Sequence, residues 1–180
     1  DIRENDSCFG VVLIRSGQEV GEPALPHSMG TVARIAELKP TEGERFLLTT
    51  VGEQRFRIQE TLRERPYILA RVELLASEAQ FPAEEELVQQ VRQAFEEYAR
   101  LLMVLQGGWA RRVETPSNPA ELSYAVGQGL QAKPQVKQQL LEAPSPQERL
   151  KAELPLLQGA SARLLERIQA GRSPSQFSQN

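Results

Sequence analysis

The order of apolar and polar residues changes character near residue 80 of this 180-residue chain. Before that point, short apolar runs rich in β-branched residues are separated by Gly- and Pro-containing segments, which is typical of strands and turns. After it, apolar residues recur at three- and four-residue steps, which is typical of amphipathic helices. The pattern predicts an α+β protein with a β subdomain over residues 1–81, a helical subdomain over 82–171 and a disordered tail over 172–180.

The first half contains five predicted strands, whose short connections favour mostly antiparallel pairing. They cover residues 9–15, 31–38, 45–51, 54–58 and 67–75. The segment 16–30 holds three glycines and two prolines, so we expect a loop there. Gly52 separates the third and fourth strands, and a glycine there can adopt the positive φ that a tight turn or bulge requires.

The stretch "LLTTVGEQRFRIQE" (47–60) is interpreted as a structural hairpin or bulged turn. Alternation along the predicted strand puts Phe56 and Ile58 on one face and Arg55 and Arg57 on the other. We therefore expect the two apolar side chains to fill the interior of the β subdomain. The two arginines are expected to face water or to pair with acidic neighbours.

In the second half, the longest apolar stripe predicts one continuous helix from Ala83 to Gln106. Its core-facing residues are Leu87, Val91, Phe95, Tyr98, Leu102 and Leu105. The capping patterns "NPAE" (118–121) and "SPQE" (145–148) predict two further helix starts. A short helix over 133–143 lies between them. Pro155 interrupts the last helix and is expected to kink or break it.

Composition restricts the possible functions. Hydrophobic residues make up 40% and charged residues 25%, which is ordinary for a globular protein. A net charge of -3 argues against a general nucleic-acid binder. No apolar run approaches the roughly 18 residues that span a bilayer, so we expect no membrane partner. The single cysteine excludes an intramolecular disulfide and favours a reducing, cytoplasmic compartment.

Candidate chemistry is sparse. One histidine, His27, and one cysteine, Cys8, cannot supply a structural zinc set, and no metal or cofactor is expected. A Cys8–His27 nucleophile pair would need the two residues to meet in space, and no local motif surrounds either. Phosphate-binding glycine motifs are missing. The glycines of "GQG" (127–129) lie within a helical stripe and are interpreted as permitting close helix packing.

Arginines are frequent in the predicted β subdomain, which leaves an RNA-binding interpretation open. They include Arg34, Arg45, Arg55, Arg57, Arg63, Arg65 and Arg71. Residues 1–81, however, contain 10 Lys and Arg against 13 Asp and Glu, and few aromatic residues are available for base stacking. Solvated or ion-paired arginines are the favoured interpretation.

Several stretches, in their order and spacing, resemble the N-terminal substrate-binding domain of the Lon ATP-dependent proteases. In the first half they are "FGVVLIR", "GTVARIAEL", "VGEQRFRI" and "RPYILARVELL"; in the second half they are "NPAELSYAVGQGL" and "KQQLLEAPSPQERLKAEL". The resemblance extends from Phe9 to about Leu157. It implies a PUA-like, mostly antiparallel β-barrel or partly closed sheet, followed by an α-helical bundle.

The resemblance also implies a function: a non-catalytic module that binds unfolded proteins or peptides, with a protease as a further partner. Two features of the family have no counterpart in this sequence. One is the Pro- and Leu-rich strand, with its turn and aromatic helix, that precedes the position of Phe9. We expect that strand either to lie outside this sequence or to be absent, which would leave an open sheet edge. The other is the ATPase and Ser-Lys protease modules, so no enzymatic activity is expected of this chain.

Protein binding requires an exposed or concave apolar surface, expected where the β half meets the helices. The candidate contact residues are Tyr67, Leu69, Phe81 and Trp109; the competing interpretation for each is core packing. Two other functions remain as alternatives. One is an RNA-binding PUA-like module, by analogy of fold alone. The other is a hydrolase that uses Cys8 or His27.

Overall fold

The computed structural model describes residues 7–17, 24–43, 45–62, 68–108 and 113–172. Residues 171 and 172 are described by their backbone only. It divides into two compact units, Asp1–Ser77 and Glu78–Asn180. The described part of the first contains four strands, and that of the second contains four helices. None of the described helices has the length and apolar character needed to cross a membrane.

The first unit is an antiparallel meander. Its strands are β1 (Cys8–Ser16), β2 (Leu25–Thr41), β3 (Arg45–Leu62) and β4 (Leu69–Leu74). Each strand pairs with its neighbour in sequence, in the order β1-β2-β3-β4. The antiparallel prediction is therefore confirmed. The sheet does not close into a barrel within the described residues, so β1 and β4 are its edges there.

The predicted loop over 16–30 ends earlier than expected, because β2 already begins at Leu25. Pro26 lies opposite Ile14, at a point where the β1–β2 register shifts, so its missing N–H does not interrupt a regular ladder. Gly30 lies opposite Phe56, and the Phe56 ring occupies the space that a side chain at position 30 would fill. Both residues usually indicate loops, and here each has a place inside a strand.

The third and fourth predicted strands are one strand, β3, so the hairpin interpretation of residues 47–60 was wrong and the bulge interpretation was right. Val32 lies opposite Gln54, whereas the next residue of β2, Ala33, lies opposite Gly52. Glu53 is therefore the extra residue of a β-bulge. Gly52 does not adopt a positive φ. A Cβ atom at Gly52 would lie 3.2 Å from Cγ2 of Thr31, so close cross-strand packing favours glycine here.

Phe56 is the most deeply buried apolar side chain of the first unit among the described residues. Its ring covers two glycines of neighbouring strands: a Cβ atom at Gly30 would lie 2.6 Å from the ring, and one at Gly10 would lie 3.0 Å from it. Ile58 is half-buried and Arg57 is exposed, as the alternation predicted. The ring thus replaces the side chains that β1 and β2 lack at these positions.

The second unit contains α1 (Glu85–Leu105), α2 (Pro119–Gly129), α3 (Pro134–Glu142) and α4 (Pro146–Arg172). Both predicted capping patterns are confirmed. The side chain of Asn118 accepts hydrogen bonds from the backbone N–H groups of Ala120 and Glu121, at 2.9 and 3.2 Å. The hydroxyl of Ser145 accepts one from the N–H of Glu148 at 3.2 Å. Each cap satisfies donors that the first helical turn leaves unpaired.

Pro155 was expected to kink or break the last helix, and the break was wrong, since α4 continues through it. A proline in a helix leaves the carbonyl four residues earlier without its usual donor, here that of Lys151. Both Lys151 and Pro155 are exposed, so water can solvate that carbonyl. Burial of Leu150 and Leu157 on the opposite face then holds the helix together across the proline.

The core of the second unit is formed by residues of all four helices. Its large buried members are Leu87, Val88, Val91, Phe95, Tyr98, Leu122, Val126, Leu130, Leu140, Leu150, Leu157 and Leu164. The apolar stripe predicted for α1 therefore packs on α2 and α4, as expected. Gly129 lies under the ring of Phe95, where a Cβ atom would be 2.9 Å from it. The packing interpretation of "GQG" is confirmed at this glycine.

The Phe95→Ala substitution is expected to reduce the free energy of unfolding by about 3–5 kcal/mol, because it leaves a cavity beside Gly129. Phe81→Ala is the matched control: Phe81 belongs to the same unit but is 49% exposed. Its truncation should cost far less. Denaturant unfolding followed by circular dichroism measures both. Equal losses for the two variants would show that Phe95 is not a core residue.

Candidate binding surface

The turn between β2 and β3 carries a two-stranded extension of the sheet. Residues 37–41 of β2 and 45–49 of β3 pair only with each other among the described strands. Gly43, with a φ of 74°, lies in the turn that joins them. We call these two segments the apolar ribbon. No third described strand pairs with it, and most of its side chains on both faces are exposed.

One face of the apolar ribbon is apolar throughout. Phe46 lies opposite Pro40, and Leu48 lies opposite Leu38. Directly opposite residues of an antiparallel pair share a face, and so do residues two apart on one strand. These four side chains therefore form one continuous patch. Phe46 is 55% exposed and Leu48 is 45% exposed, so the patch is available for contact.

The other face of the ribbon is mixed. It carries Leu47, which is 61% exposed, beside Lys39 on the opposite strand. The ammonium group of Lys39 lies 3.0 Å from the carboxylate of Glu37. An ion pair beside a single leucine is an ordinary solvated surface. The two faces therefore differ in chemistry although they share one backbone.

Exposed apolar side chains are concentrated in the first unit of the described structure. Nine lie there: Val11, Leu25, Phe46, Leu47, Leu48, Val51, Ile68, Val72 and Leu74. The second unit contributes Phe81, Tyr124 and Leu165. Single exposed apolar residues need no explanation, but a contiguous group indicates a site of contact. The sheet, and its ribbon above all, is the stronger candidate surface.

Two of the four predicted contact residues, Leu69 and Phe81, lie within the described structure, one in each unit. Leu69 lies at the start of β4, opposite Leu62, and is half-buried. Phe81 is half-exposed and belongs to the second unit. Tyr67 and Trp109 lie outside the described residues. The sequence pattern did not single out Phe46 and Leu48, although three consecutive apolar residues beside a Gly-containing turn were a visible signal.

Two of the seven arginines are neutralised by acidic partners on neighbouring strands. Arg34 forms an ion pair with Glu53, the bulge residue, and this hydrogen-bonded carboxylate raises the pKa of Arg34. A nitrogen of Arg71 lies 2.7 Å from the carboxylate of Glu60. Arg63 and Arg65 lie outside the described residues. The described sheet therefore presents mixed charge rather than the continuous basic surface that binds RNA.

The strand register separates Cys8 from His27. Cys8 lies opposite Arg34, which is seven residues beyond His27 on the same strand. At about 3.3 Å per residue the two side chains start roughly 20 Å apart, too far for proton transfer. Within the described residues, no group of three or more His, Cys, Asp or Glu side chains could hold a metal ion.

A buried polar cluster in the second unit was not predicted. Its centre is Arg149 of α4, which is 1% exposed. The guanidinium donates to the backbone carbonyl of Leu140 at 2.9 Å, to the hydroxyl of Ser123 at 2.9 Å and to the carboxylate of Glu78 at 2.9 and 3.3 Å. A buried charge is tolerated when it is paired and hydrogen-bonded in this way.

Tyr124 completes the cluster. Its ring centroid lies 4.3 Å from the guanidinium carbon of Arg149, and its hydroxyl donates to the carboxylate of Glu78 at 2.7 Å. Ser123 in turn donates to the carbonyl of Ala120 at 2.8 Å. The only sequence signal was the position of Arg149 next to Leu150, one residue off the leucine stripe. The cluster has a full set of partners, which is typical of a structural element.

Most of the chain matches a single protein family. Residues 2–159 match the family of the ATP-dependent protease La (LON) substrate-binding domain. Lon protease 2 of Myxococcus xanthus is 29% identical over 160 residues, which cover 87% of this chain and 19% of that protein. The Lon protease of Syntrophus aciditrophicus (strain SB) is 29% identical over 167 residues, covering 89% and 21%. The chain thus spans about a fifth of the curated relatives it matches.

Solved structures agree on the fold. A crystal structure of a Lon N-terminal domain protein from Xanthomonas campestris superposes with a TM-score of 0.63 at 20% identity, over 86% of this chain and 78% of that one. The N-terminal domain of a Mycobacterium avium complex Lon protease gives a TM-score of 0.55 at 16% identity, over 84% and 89%. The expected antiparallel sheet followed by helices is therefore confirmed, whereas the barrel alternative is not, because the sheet is open within the described residues.

Replacing Arg149 by Met should lower the free energy of unfolding by about 3–5 kcal/mol, because Glu78 would keep a buried carboxylate without its guanidinium. Lys151→Met is the matched control: it breaks an exposed ion pair with Glu148 and should cost about 0–1 kcal/mol. Urea unfolding measures both. The double variant Arg149→Met/Glu78→Leu should regain part of the loss. If Arg149→Met were no less stable than Lys151→Met, the stabilising role of the buried polar cluster would be contradicted.

Proposed function

The chain belongs to the ATP-dependent protease La (LON) substrate-binding domain family, and we propose that it is a non-catalytic module that binds unfolded proteins or peptides. The observation that carries this proposal is the apolar face of the ribbon, formed by Leu38, Pro40, Phe46 and Leu48. The proposal rests on this surface, whose chemistry fits an unfolded protein, together with the membership of the family.

The physical argument concerns what distinguishes an unfolded protein from a folded one. An unfolded chain exposes apolar side chains that folding would bury, and removing them from water releases about 25 cal/mol per Å² of apolar surface. A contiguous apolar patch recognises that property without requiring a particular sequence. The accessible position of the ribbon allows a long, irregular chain to approach it. The apolar face therefore suits a ligand defined by its exposed hydrophobicity.

The four residues that the sequence suggested belong to the same proposal as secondary contacts. The half exposure of Phe81 supports a contact role, whereas the partial burial of Leu69 gives it less support. Tyr67 and Trp109 are proposed on the sequence alone. We further propose a cytoplasmic location, since the single cysteine can form no intramolecular disulfide.

We also propose a protease as a partner, because the family description names an ATP-dependent protease. In this role the module would bind an unfolded protein and raise its local concentration near the protease. Degradation of an unfolded protein by a Lon protease, measured with and without this chain, tests the idea. An unchanged degradation rate at saturating chain would contradict it.

The double variant Phe46→Ser/Leu48→Ser is expected to weaken binding of an unfolded protein at least tenfold, because it removes two apolar side chains from the contact face. The ligand is a permanently unfolded, reduced and carboxymethylated protein, and the readout is the Kd from fluorescence anisotropy. Leu47→Ser is the matched control, since Leu47 lies on the opposite face of the same strand with similar exposure. It should leave the Kd within about twofold.

A salt series distinguishes apolar from electrostatic binding. Between 50 and 200 mM salt the Kd for an unfolded protein should stay nearly constant, whereas RNA binding through several phosphate contacts would weaken by a factor on the order of 10³. Equal effects of the double variant and the Leu47→Ser control would contradict the assignment to this face. Binding of RNA with a steep salt dependence would favour the RNA-binding alternative.

A further inference from the structure

Glu153 of α4 is buried in an unusual way. Its side chain is 0% exposed, and neither carboxylate oxygen has a hydrogen-bond partner among the described residues. One oxygen packs toward α2, 3.7 Å from the position of a Cβ atom on Gly127. The buried stripe of α4 runs through Leu150, Glu153 and Leu157, so the carboxyl occupies a position that an apolar residue would normally fill.

The positive charge of Arg149 does not compensate this carboxyl. Arg149 lies one turn earlier on α4, but its donors are committed to Leu140, Ser123 and Glu78. Burial therefore dominates: it raises the pKa of Glu153 to about 9, and the charge of Arg149 opposes the shift only in part. The folded protein holds this side chain as a neutral acid at pH 7.

Four further ionisable groups on the segments around α4 have hydrogen-bond or ion-pair partners. In the segment before α1, Glu78 is paired with Arg149. On α1, the hydroxyl of Tyr98 accepts from the N–H of Gln131 at 2.9 Å. On α2, the hydroxyl of Tyr124 donates to Glu78. On α3, Glu142 accepts from Gln138 at 2.7 Å. None of these four groups adds a positive charge beside Glu153, so the partial effect of Arg149 is not reinforced.

We propose that Glu153 is a proton-linked switch in the helical unit: its carboxyl is neutral while α4 is packed on α2, and it releases one proton when these helices separate. The switch lies in the helical unit and is independent of the binding proposed for the apolar ribbon. Separation exposes the carboxyl to water, where it ionises as an ordinary glutamate. Each opening event is then coupled to proton release, so the packed form becomes less favoured as pH rises.

The sign and range follow from linkage. The folded state binds this proton more tightly than the unfolded state, whose glutamate has a pKa of about 4.3, so stability falls as pH rises. The effect begins near pH 4.3 and ends near the folded-state pKa of about 9. Within that range one released proton raises the unfolding constant, [unfolded]/[folded], up to about tenfold per pH unit. Other groups titrate as well, so a comparison between variants is needed.

The test compares the parent chain with Glu153→Gln in urea unfolding at pH 5, 6, 7 and 8. The amide mimics the neutral acid, so the ratio of the two unfolding constants isolates this one proton. The unfolding constant of the parent divided by that of the variant is expected to rise by up to about tenfold per pH unit. At pH 7 the unfolding constant of the variant should be up to roughly 500-fold smaller than that of the parent. Glu166→Gln is the matched control, because it makes the same change at an exposed position of the same helix.

A pH-independent ratio for Glu153→Gln would overturn the proposal. A second measurement uses the unaltered protein and so remains decisive if the variant does not fold. Carbon-13 NMR of the glutamate carboxyl groups follows the titration of Glu153 in the folded state. A midpoint above pH 7 supports the switch, and a midpoint at or below pH 7 overturns it.

Discussion

The helical unit depends on one buried guanidinium. Arg149 projects from α4 and holds the hydroxyl of Ser123 in α2, the carbonyl of Leu140 at α3 and the carboxylate of Glu78 ahead of α1. A charge removed from water needs all of these partners, since losing any one leaves a costly unpaired group. Four separate segments are therefore held by a single side chain. The leucine-rich core then packs around positions that this polar cluster has fixed.

One turn along α4, the opposite condition applies. Glu153 is as deeply buried as Arg149 but lacks hydrogen-bond partners among the described residues, so it is held neutral instead of paired. The two side chains show the two ways in which a protein interior accommodates an ionisable group: partners for the charge, or loss of the charge. The first makes packing specific. The second ties packing to pH.

The β unit distributes its apolar surface differently. Phe56 alone covers Gly10 and Gly30 and anchors three adjacent strands, whereas the apolar ribbon beyond it exposes Phe46 and Leu48 to solvent. A small open sheet cannot bury every apolar side chain it carries, and those left outside are the ones available to a ligand. The proposed contact surface is thus what remains after the local core around Phe56 has formed.

The sequence by itself determined the class of fold, the starts of the helices and the family, because these depend on local signals: apolar periodicity, the caps at Asn118 and Ser145, and the order of short motifs. It did not determine which strands are continuous, since Gly52 is also compatible with a turn and only pairing with β2 shows a bulge. Nor did it indicate the buried positions of Arg149 and Glu153, because a charged residue in a helix normally indicates an exposed face. Whether such a side chain meets water, a partner or neither depends on helices distant in sequence, and that was decided only by the tertiary structure.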